Sequence, residues 1–342
     1  MKIRFISDLH YYLNMQHSPT ETIDIFSKIE PADITLIAGD ASAEIEEMSM
    51  LLDKYFHDER VVFVNGNHAL YHTPCESIQD IIKAYRKRFF GKWLFLENNY
   101  TQLDDKLFCI GCCGWTNFEY GHKTKSQYIR EIEQEKQYRE KHKFVDTGKI
   151  FGEGTEFDRG VQPVIFTNYL PEDPAKEYDE LQMGNKESYR GRRMKDAVRN
   201  MNDYNYGKIR REDGSTDILR PSDTYNMHQE SLKYIEKAYN VIVEKVPDAT
   251  IILMTHHPFT KKCVSGRYKD DVLTSAFVSE HDRWLKKFPN IKYIHCGHVH
   301  QRFFDKVGDK TLVCNPAGYF FYGEHIQSTP FNINYMIEVK TR

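Results

Sequence analysis

No stretch of this chain approaches the ~20 consecutive apolar residues that a membrane-spanning helix requires, so no such helix is expected. Nor is there a surplus of charge of either sign. The 47 Lys and Arg residues stand against 50 Asp and Glu, for a net charge of -3. A protein that tracks a nucleic-acid backbone wants a basic surplus, so a nucleic-acid partner is not favoured. The seven cysteines are odd in number and follow no disulfide spacing: Cys112 and Cys113 are adjacent, and Cys109, Cys296 and Cys314 sit in apolar runs. Reduced, buried thiols in a cytoplasmic protein are the expectation. The first ten residues lack the apolar core and cleavage site of a signal peptide. Aromatics, by contrast, are abundant. With 22 Tyr and 21 Phe the chain is far richer in them than a disordered sequence.

Short apolar runs alternate with amphipathic stretches. Strands are predicted from Ile3 to Ile6, Ile34 to Ile37, Val61 to Val64, Leu107 to Gly111, Thr250 to Met254, Ile291 to Cys296, Thr311 to Cys314 and Tyr335 to Val339. Helical spacing runs from Thr20 to Ile29, Glu44 to Phe56 and Ile78 to Phe90. This alternation predicts a layered α/β fold. The stretch from Glu119 to Arg220 differs, being rich in Lys, Glu, Arg, Asp and Tyr without long apolar runs. It holds two charged helical patterns, from Tyr128 to Lys143 and from Lys186 to Asp203. Between them lies an irregular segment with Gly148, Gly152, Gly154, Gly160, Pro163, Pro171 and Pro174. We read residues 1–342 as one domain carrying 119–220 as an insertion or lid.

Five short polar motifs each follow a predicted strand: Asp8-Leu-His10, Gly39-Asp40, Gly66-Asn67-His68, Thr255-His256-His257-Pro258 and Gly297-His298-Val-His300. In an α/β sheet the loops leaving the carboxyl ends of strands converge on one crevice. Their candidate ligands are Asp8, His10, Asp40, Asn67, His256, His298 and His300. These are mixed oxygen and nitrogen donors without a thiolate, which suits manganese, iron or zinc better than calcium or a structural zinc site. One catalytic zinc needs about three protein ligands. Seven candidates are too many for one ion and right for two, and two ions ~3.5–4 Å apart need a bridging carboxylate, for which Asp40 is the natural choice.

The set Asp8-x-His10, Gly39-Asp40, Gly66-Asn67-His68, His256 and Gly297-His298-x-His300 strongly resembles the calcineurin-like metallophosphoesterases in order and in strand context. The words Gly114-Trp115-Thr116-Asn117-Phe118, Met201-Asn202-Asp203-Tyr204 and Asn315-Pro316-Ala317-Gly318-Tyr319 resemble a bacterial and phage subgroup of predicted phosphoesterases. The resemblance implies a four-layer sandwich, two mixed β-sheets flanked by helices. It implies two divalent or trivalent transition metal ions (Mn, Fe or Zn). Asp8, His10 and His300 would hold the first, Asn67, His256 and His298 the second, with Asp40 between them. His68 would contact the phosphate and protonate the leaving oxygen. The implied reaction is hydrolysis of a phosphodiester or phosphomonoester, of a nucleotide or other small molecule, by a metal-activated hydroxide. A nuclease or phosphoprotein phosphatase is the alternative enzyme, and an inactive interaction scaffold the alternative of another class. The family usually has an acidic residue directly after the His68 position. Here that place is Ala69, which leaves open what orients His68.

Beyond the metal set, His257 adjoins His256, and neighbouring side chains on such a loop diverge, so it is placed behind the ligands. The basic run Arg190-Gly-Arg192-Arg193-Met-Lys195 offers Arg192 and Arg193 as phosphate contacts, against the plainer reading of a solvated helix face. Asn202 and Asp203 are candidate substrate contacts, or equally a turn or cap. No protein partner is predicted.

Overall fold

The structure, a computed structural model, describes residues 1–71, 76–141, 172–180, 185–269 and 271–339. Its strands are β1 (Lys2–Ile6), β2 (Ile34–Ala38), β3 (Arg60–Val64), β4 (Trp93–Phe95), β5 (Asn99–Asp104), β6 (Leu107–Cys112), β7 (Lys208–Arg210), β8 (Thr216–Ile218), β9 (Thr250–Thr255), β10 (Ile291–Cys296), β11 (Phe303–Val307), β12 (Lys310–Cys314) and β13 (Met336–Glu338). They form two large mixed sheets, ordered β13-β1-β2-β3-β4 and β11-β12-β10-β9-β6-β5, and a small β7-β8 hairpin.

Side-chain alternation along the strands builds the layers. Ile3 and Phe5, Leu36 and Ala38, and Val62 and Val64 face inward. They meet Cys109, Ile252, Met254 and Val313 of the other sheet. The intervening residues, Ile37, Val61 and Phe63 among them, face outward onto a helical layer that includes Met48, Leu51, Leu52, Ile81 and Tyr85. On the far side, Phe108, Ile110, Ile251 and Leu253 pack against Ile235, Ala238, Tyr239 and Ile242 of the helix Pro221–Lys245. The expected four layers, two mixed sheets flanked by helices, are present.

Contact density divides the described chain into two compact units, Met1–Tyr120 with Arg193–Arg342, and Gly121–Arg192. All the strands belong to the first. In the second, Tyr178 and Tyr189 are buried with Tyr128 packed against them, Tyr178 donates to the Lys123 carbonyl at 2.9 Å, and Lys125 pairs with Asp179. Its helices run Lys125–Lys141 and Pro174–Glu180, so Pro174 opens a helix rather than belonging to a loop. The rest of the expected irregular segment, Gly148 to Pro171, lies outside the described residues, as does Cys75. The other six cysteines are free and buried.

The helix Pro221–Lys245 is absent from the sequence reading. The buried stripe of its first half is Thr224, His228 and Ser231, and apolar spacing begins only at Ile235. The edge strands β4, β5 and β11 also go unread, being short or polar on one face.

Candidate metal centre

Within the first sheet β1, β2 and β3 run parallel, and in the second β6, β9, β10 and β12 do so. Each sheet therefore sends its carboxyl-end loops to one edge. Backbone hydrogen bonds tie the loops together within each sheet and, at Gly318 and Asp8, between the sheets. Asp8 donates to the Gly39 carbonyl at 2.9 Å, His10 to Asp40 at 2.9 Å, Gly297 to His256 at 3.0 Å and Gly318 to Asp8 at 3.0 Å. A bridge between Ser7 and Pro316 joins the ends of β1 and β12.

The loops are strained. Asp8, His10, Asp40, His298 and His300 all have positive φ, at 50°, 39°, 49°, 69° and 48°. For a non-glycine residue that conformation costs on the order of 1–3 kcal/mol and persists only when the surroundings impose it. Two motif glycines have a steric reason. A Cβ on Gly66 would collide with the Asp40 carboxylate, and one on Gly297 with that of Asp8. The carboxylates press directly on backbone, and only glycine leaves them room.

All seven candidate ligands are brought together. Asp8, His10 and His300 offer ligand atoms within 4.8 Å of one another, and so do Asp8, Asp40 and His256, and His10, Asp40 and His68. His10 Nε2 and His300 Nε2 lie 3.0 Å apart, and His300 Nε2 lies 3.5 Å from Asp8. His256 Nε2 lies 3.2 Å from Asp40 Oδ2 and 3.0 Å from Asn67 Oδ1. Behind the ligands, His300 Nδ1 meets Glu324 Oε2 at 2.8 Å, His256 Nδ1 meets the Ala38 carbonyl at 2.9 Å, and Asn67 Nδ2 donates to the Tyr71 hydroxyl at 2.8 Å. Such partners fix the tautomer and orientation of metal ligands.

Electrostatics divides the imidazoles. Burial opposes charge on every one of them, but Asp8 and Glu324 outweigh it at His300 and raise it to about 10. Asp40 does the same at His256, to about 9. His10 and His298 are pushed well below the ordinary histidine value, first by burial and then by neighbouring imidazoles, so both present bare lone pairs. Asp40 stays ionised despite burial because His256 and His68 surround it. The residues fit a pair of cations. Buried carboxylates supply negative charge, neutral imidazoles supply lone pairs, and His298 Nε2 is buried without a hydrogen-bond partner among the described residues.

His68 sits over this cluster. Its ring lies 4.5 Å from that of His10, its Nε2 is 4.0 Å from Asp40 Oδ2, and its backbone N–H donates to Asp40 Oδ1 at 3.1 Å. At the position where an acidic neighbour is expected, Ala69 is buried. The contact to His68 Nε2 comes instead from the Tyr319 hydroxyl, at 3.1 Å. Tyr319 also stacks on His10, and its backbone N–H shares Glu324 Oε2 with His300 at 2.7 Å. Tyr71 packs against the other side of His68 at 4.5 Å. Tyr319, Tyr71 and Glu324 were not singled out from the sequence. Tyr319 stands in the Asn315-Pro-Ala-Gly-Tyr word, and that was the one signal available.

The remaining candidates separate. His257 packs behind His298, ring centroids 4.1 Å apart, and against Trp115. Asp203 is buried beside Asn67 and Tyr71; burial raises its carboxyl to about 6, against the pull of those two side chains. Asn202 is exposed. Arg192 and Arg193 lie on the helix Lys186–Asn200, where Arg193 approaches Asp196 at 3.6 Å.

A buried carboxylate-imidazole cluster at converging strand ends defines a class, the metal-dependent hydrolases. The family model for calcineurin-like phosphoesterases matches residues 1–187, and the chain belongs to that family. It is a metal-dependent phosphoric ester hydrolase, and the family implies a dimetal centre. Among solved structures the chain resembles a phosphopantetheinyl hydrolase from Mycobacterium tuberculosis, at 13% identity and TM-score 0.55, covering 100% of this chain and 96% of that one. It also resembles a dimetal phosphatase from Danio rerio, at 12% identity and TM-score 0.43, covering 92% and 86%. At 13% identity the first likeness is one of fold. No curated protein matches the sequence. Among the described residues, no helix is long and apolar enough to cross a membrane.

Proposed function

We propose that this protein hydrolyses a phosphodiester or phosphomonoester of a nucleotide or other small molecule at a two-metal site. Asp8, His10 and His300 would hold one ion and Asn67, His256 and His298 the other, with the Asp40 carboxylate available to both. Manganese, iron and zinc suit this donor set. When bound, the two ions supply Lewis acidity toward the phosphoryl oxygens and activate a water. The chain's own residues do the rest. Glu324 and the Ala38 carbonyl hold the tautomers of His300 and His256 so that each turns its Nε2 inward. Tyr71 fixes the amide of Asn67 with its oxygen toward His256. His68, held by Tyr319 and Tyr71, gives its proton to the leaving oxygen, a role worth typically 10²–10⁴-fold.

The observation that carries this reading is the meeting, from five strand-end loops, of Asp8, His10, Asp40, His256 and His300, with Asn67 Oδ1 3.0 Å from His256 Nε2 and the His298 ring 5.0 Å from that of His256. Metal analysis after loading with Mn²⁺, Fe²⁺ or Zn²⁺ should give two ions per chain, with turnover of nitrophenyl phosphate or its diester. A chain that takes up fewer than two of every one of these ions, or takes up two and turns over neither ester, sinks the proposal.

A further inference from the structure

Three cysteines meet at the root of two loops that reach the metal centre. Cys296 ends β10 and Cys314 ends β12, and the parallel register sets them side by side. Cys263 ends the 3-10 turn Lys261–Cys263 and joins them from outside the sheet. The three sulfurs lie within 4.8 Å of one another, and Cys263 Sγ is 3.6 Å from Cys296 Sγ. All three residues are buried, in an apolar cluster with Phe259, Leu285, Ile294 and Leu312.

A cysteine buried only as a small apolar group gains nothing from a second thiol beside it, still less from a third. Three sulfurs around one metal ion do gain. Trigonal ligation with metal–sulfur bonds of about 2.3 Å sets the sulfurs about 4.0 Å apart, and the spacing here spans that value. Among the described residues no fourth donor from His, Cys, Asp or Glu joins the group. Zinc closes a structural site with four ligands. Copper(I) is a soft ion that thiolates select, and three of them satisfy it. Each copper–sulfur bond forms from a sulfur lone pair as the thiol proton leaves to solvent, and no electron changes hands. The thiolates then exceed the ion in charge, and Arg302 stands near enough to offset part of the excess. It is itself buried, it acts electrostatically on Cys314, and its Nε has no hydrogen-bond partner among the described residues.

We propose that Cys263, Cys296 and Cys314 form a second metal site, built of sulfur alone, that takes one copper(I) ion. Its donors separate it from the oxygen-and-nitrogen centre of the phosphoesterase reading, and it stands whether or not that reading does. Cys296 comes two residues before His298, and Cys314 five before Tyr319. A bound ion would pin the roots of both loops to the turn at Cys263. The three ligands come from three separate elements, so the ion binds the folded chain and stabilises it against unfolding.

The test adds Cu(I) without oxygen to the Mn²⁺-loaded chain, in competition with a coloured Cu(I) chelator. Wild type should withhold one Cu(I) per chain. X-ray absorption of that ion should show three sulfur neighbours and no nitrogen, and the melting temperature should rise. Cys263→Ala and Cys314→Ala should each bind Cu(I) at least ~100-fold more weakly, since even groups behind a ligand are worth 10- to 100-fold, and should lose the rise in melting temperature. Cys109→Ala, which alters a buried thiol elsewhere in the core, should keep both. Wild type that yields all its Cu(I) to the chelator, a bound ion with nitrogen neighbours, or a Cys263→Ala variant that binds as tightly as wild type would each overturn the site. Should an alanine variant fail to fold by circular dichroism, the sulfur count on wild type decides.

Discussion

Two halves of the cluster each offer one oxygen donor and two imidazoles, a carboxylate at Asp8 in one and an amide at Asn67 in the other, and they differ again in what stands behind. The half built from Asp8, His10 and His300 leans on charge: Glu324 stands behind His300, and the tyrosine that Glu324 anchors stacks on His10. The half built from Asn67, His256 and His298 leans on neutral groups. These are the Tyr71 hydroxyl, the Ala38 carbonyl and the ring of Phe277, stacked on His298 at 4.6 Å. A carboxylate behind an imidazole raises its basicity more than a carbonyl does, because it carries a full charge. The two donor sets already differ by a full charge, the Asp8 carboxylate against the neutral Asn67 amide, and the backing acts in the same direction. The first should hold its ion harder, and the second should lose its ion first to a chelator.

The most severe way to break the comparison is to remove what both halves share. Asp40→Asn replaces the carboxylate proposed to bridge the two ions with a neutral amide, and should cost at least ~10³-fold in turnover, about 4 kcal/mol. Metal analysis should show at least one ion lost, with circular dichroism unchanged. A variant with both ions and near-full turnover would remove Asp40 from the bridge.

His68 belongs to neither half. His68→Ala should leave two ions per chain and slow substrates with poor leaving groups by ~10²-fold or more. Nitrophenyl esters need less protonation and should suffer less. Equal losses on both kinds would take the acid role from His68, and a lost ion would make it a ligand.

Glu324→Gln sharpens the contrast directly. It should weaken one ion by roughly 10- to 100-fold and leave the other within error, as read by competition with a chelating dye. Equal weakening of both would show that the backing of the two halves does not set their affinities. Smallest is Tyr319→Phe, which removes one hydrogen bond to His68 Nε2 and leaves the ring on His10. The expected loss is about 1 kcal/mol, or roughly fivefold in kcat, with metal content unchanged. No change in kcat would mean that other neighbours suffice to orient His68.

The ligand candidates were legible in the sequence because each lies within a few residues of an apolar strand end, where local order alone carries it to the rim. What backs them was not. Tyr319 is 251 positions from His68, and Glu324 is 24 from His300, so only the closed fold brings these pairs together. Asn202 and Asp203 were an adjacent pair with no way to choose between them. The short helix Asp203–Tyr206 made the choice by turning Asp203 and Tyr204 inward. The buried row of the helix Pro221–Lys245 fails to read as apolar for a related reason. His228 lies in it because its Nδ1 reaches the Gly114 carbonyl at 2.7 Å, a contact that no periodicity contains.

Five residues of the cluster hold left-handed backbone that glycine would adopt freely. The molecule therefore carries a standing thermodynamic cost at its functional centre. At His10 and His300 a change to glycine relieves torsional strain on the order of 1 kcal/mol each while deleting an imidazole. A random library selected only for heat resistance should drift toward glycine at these positions and arrive at sturdier, inert proteins. Any effort to stabilise this fold while keeping its chemistry has to hold those positions fixed and find its gains elsewhere.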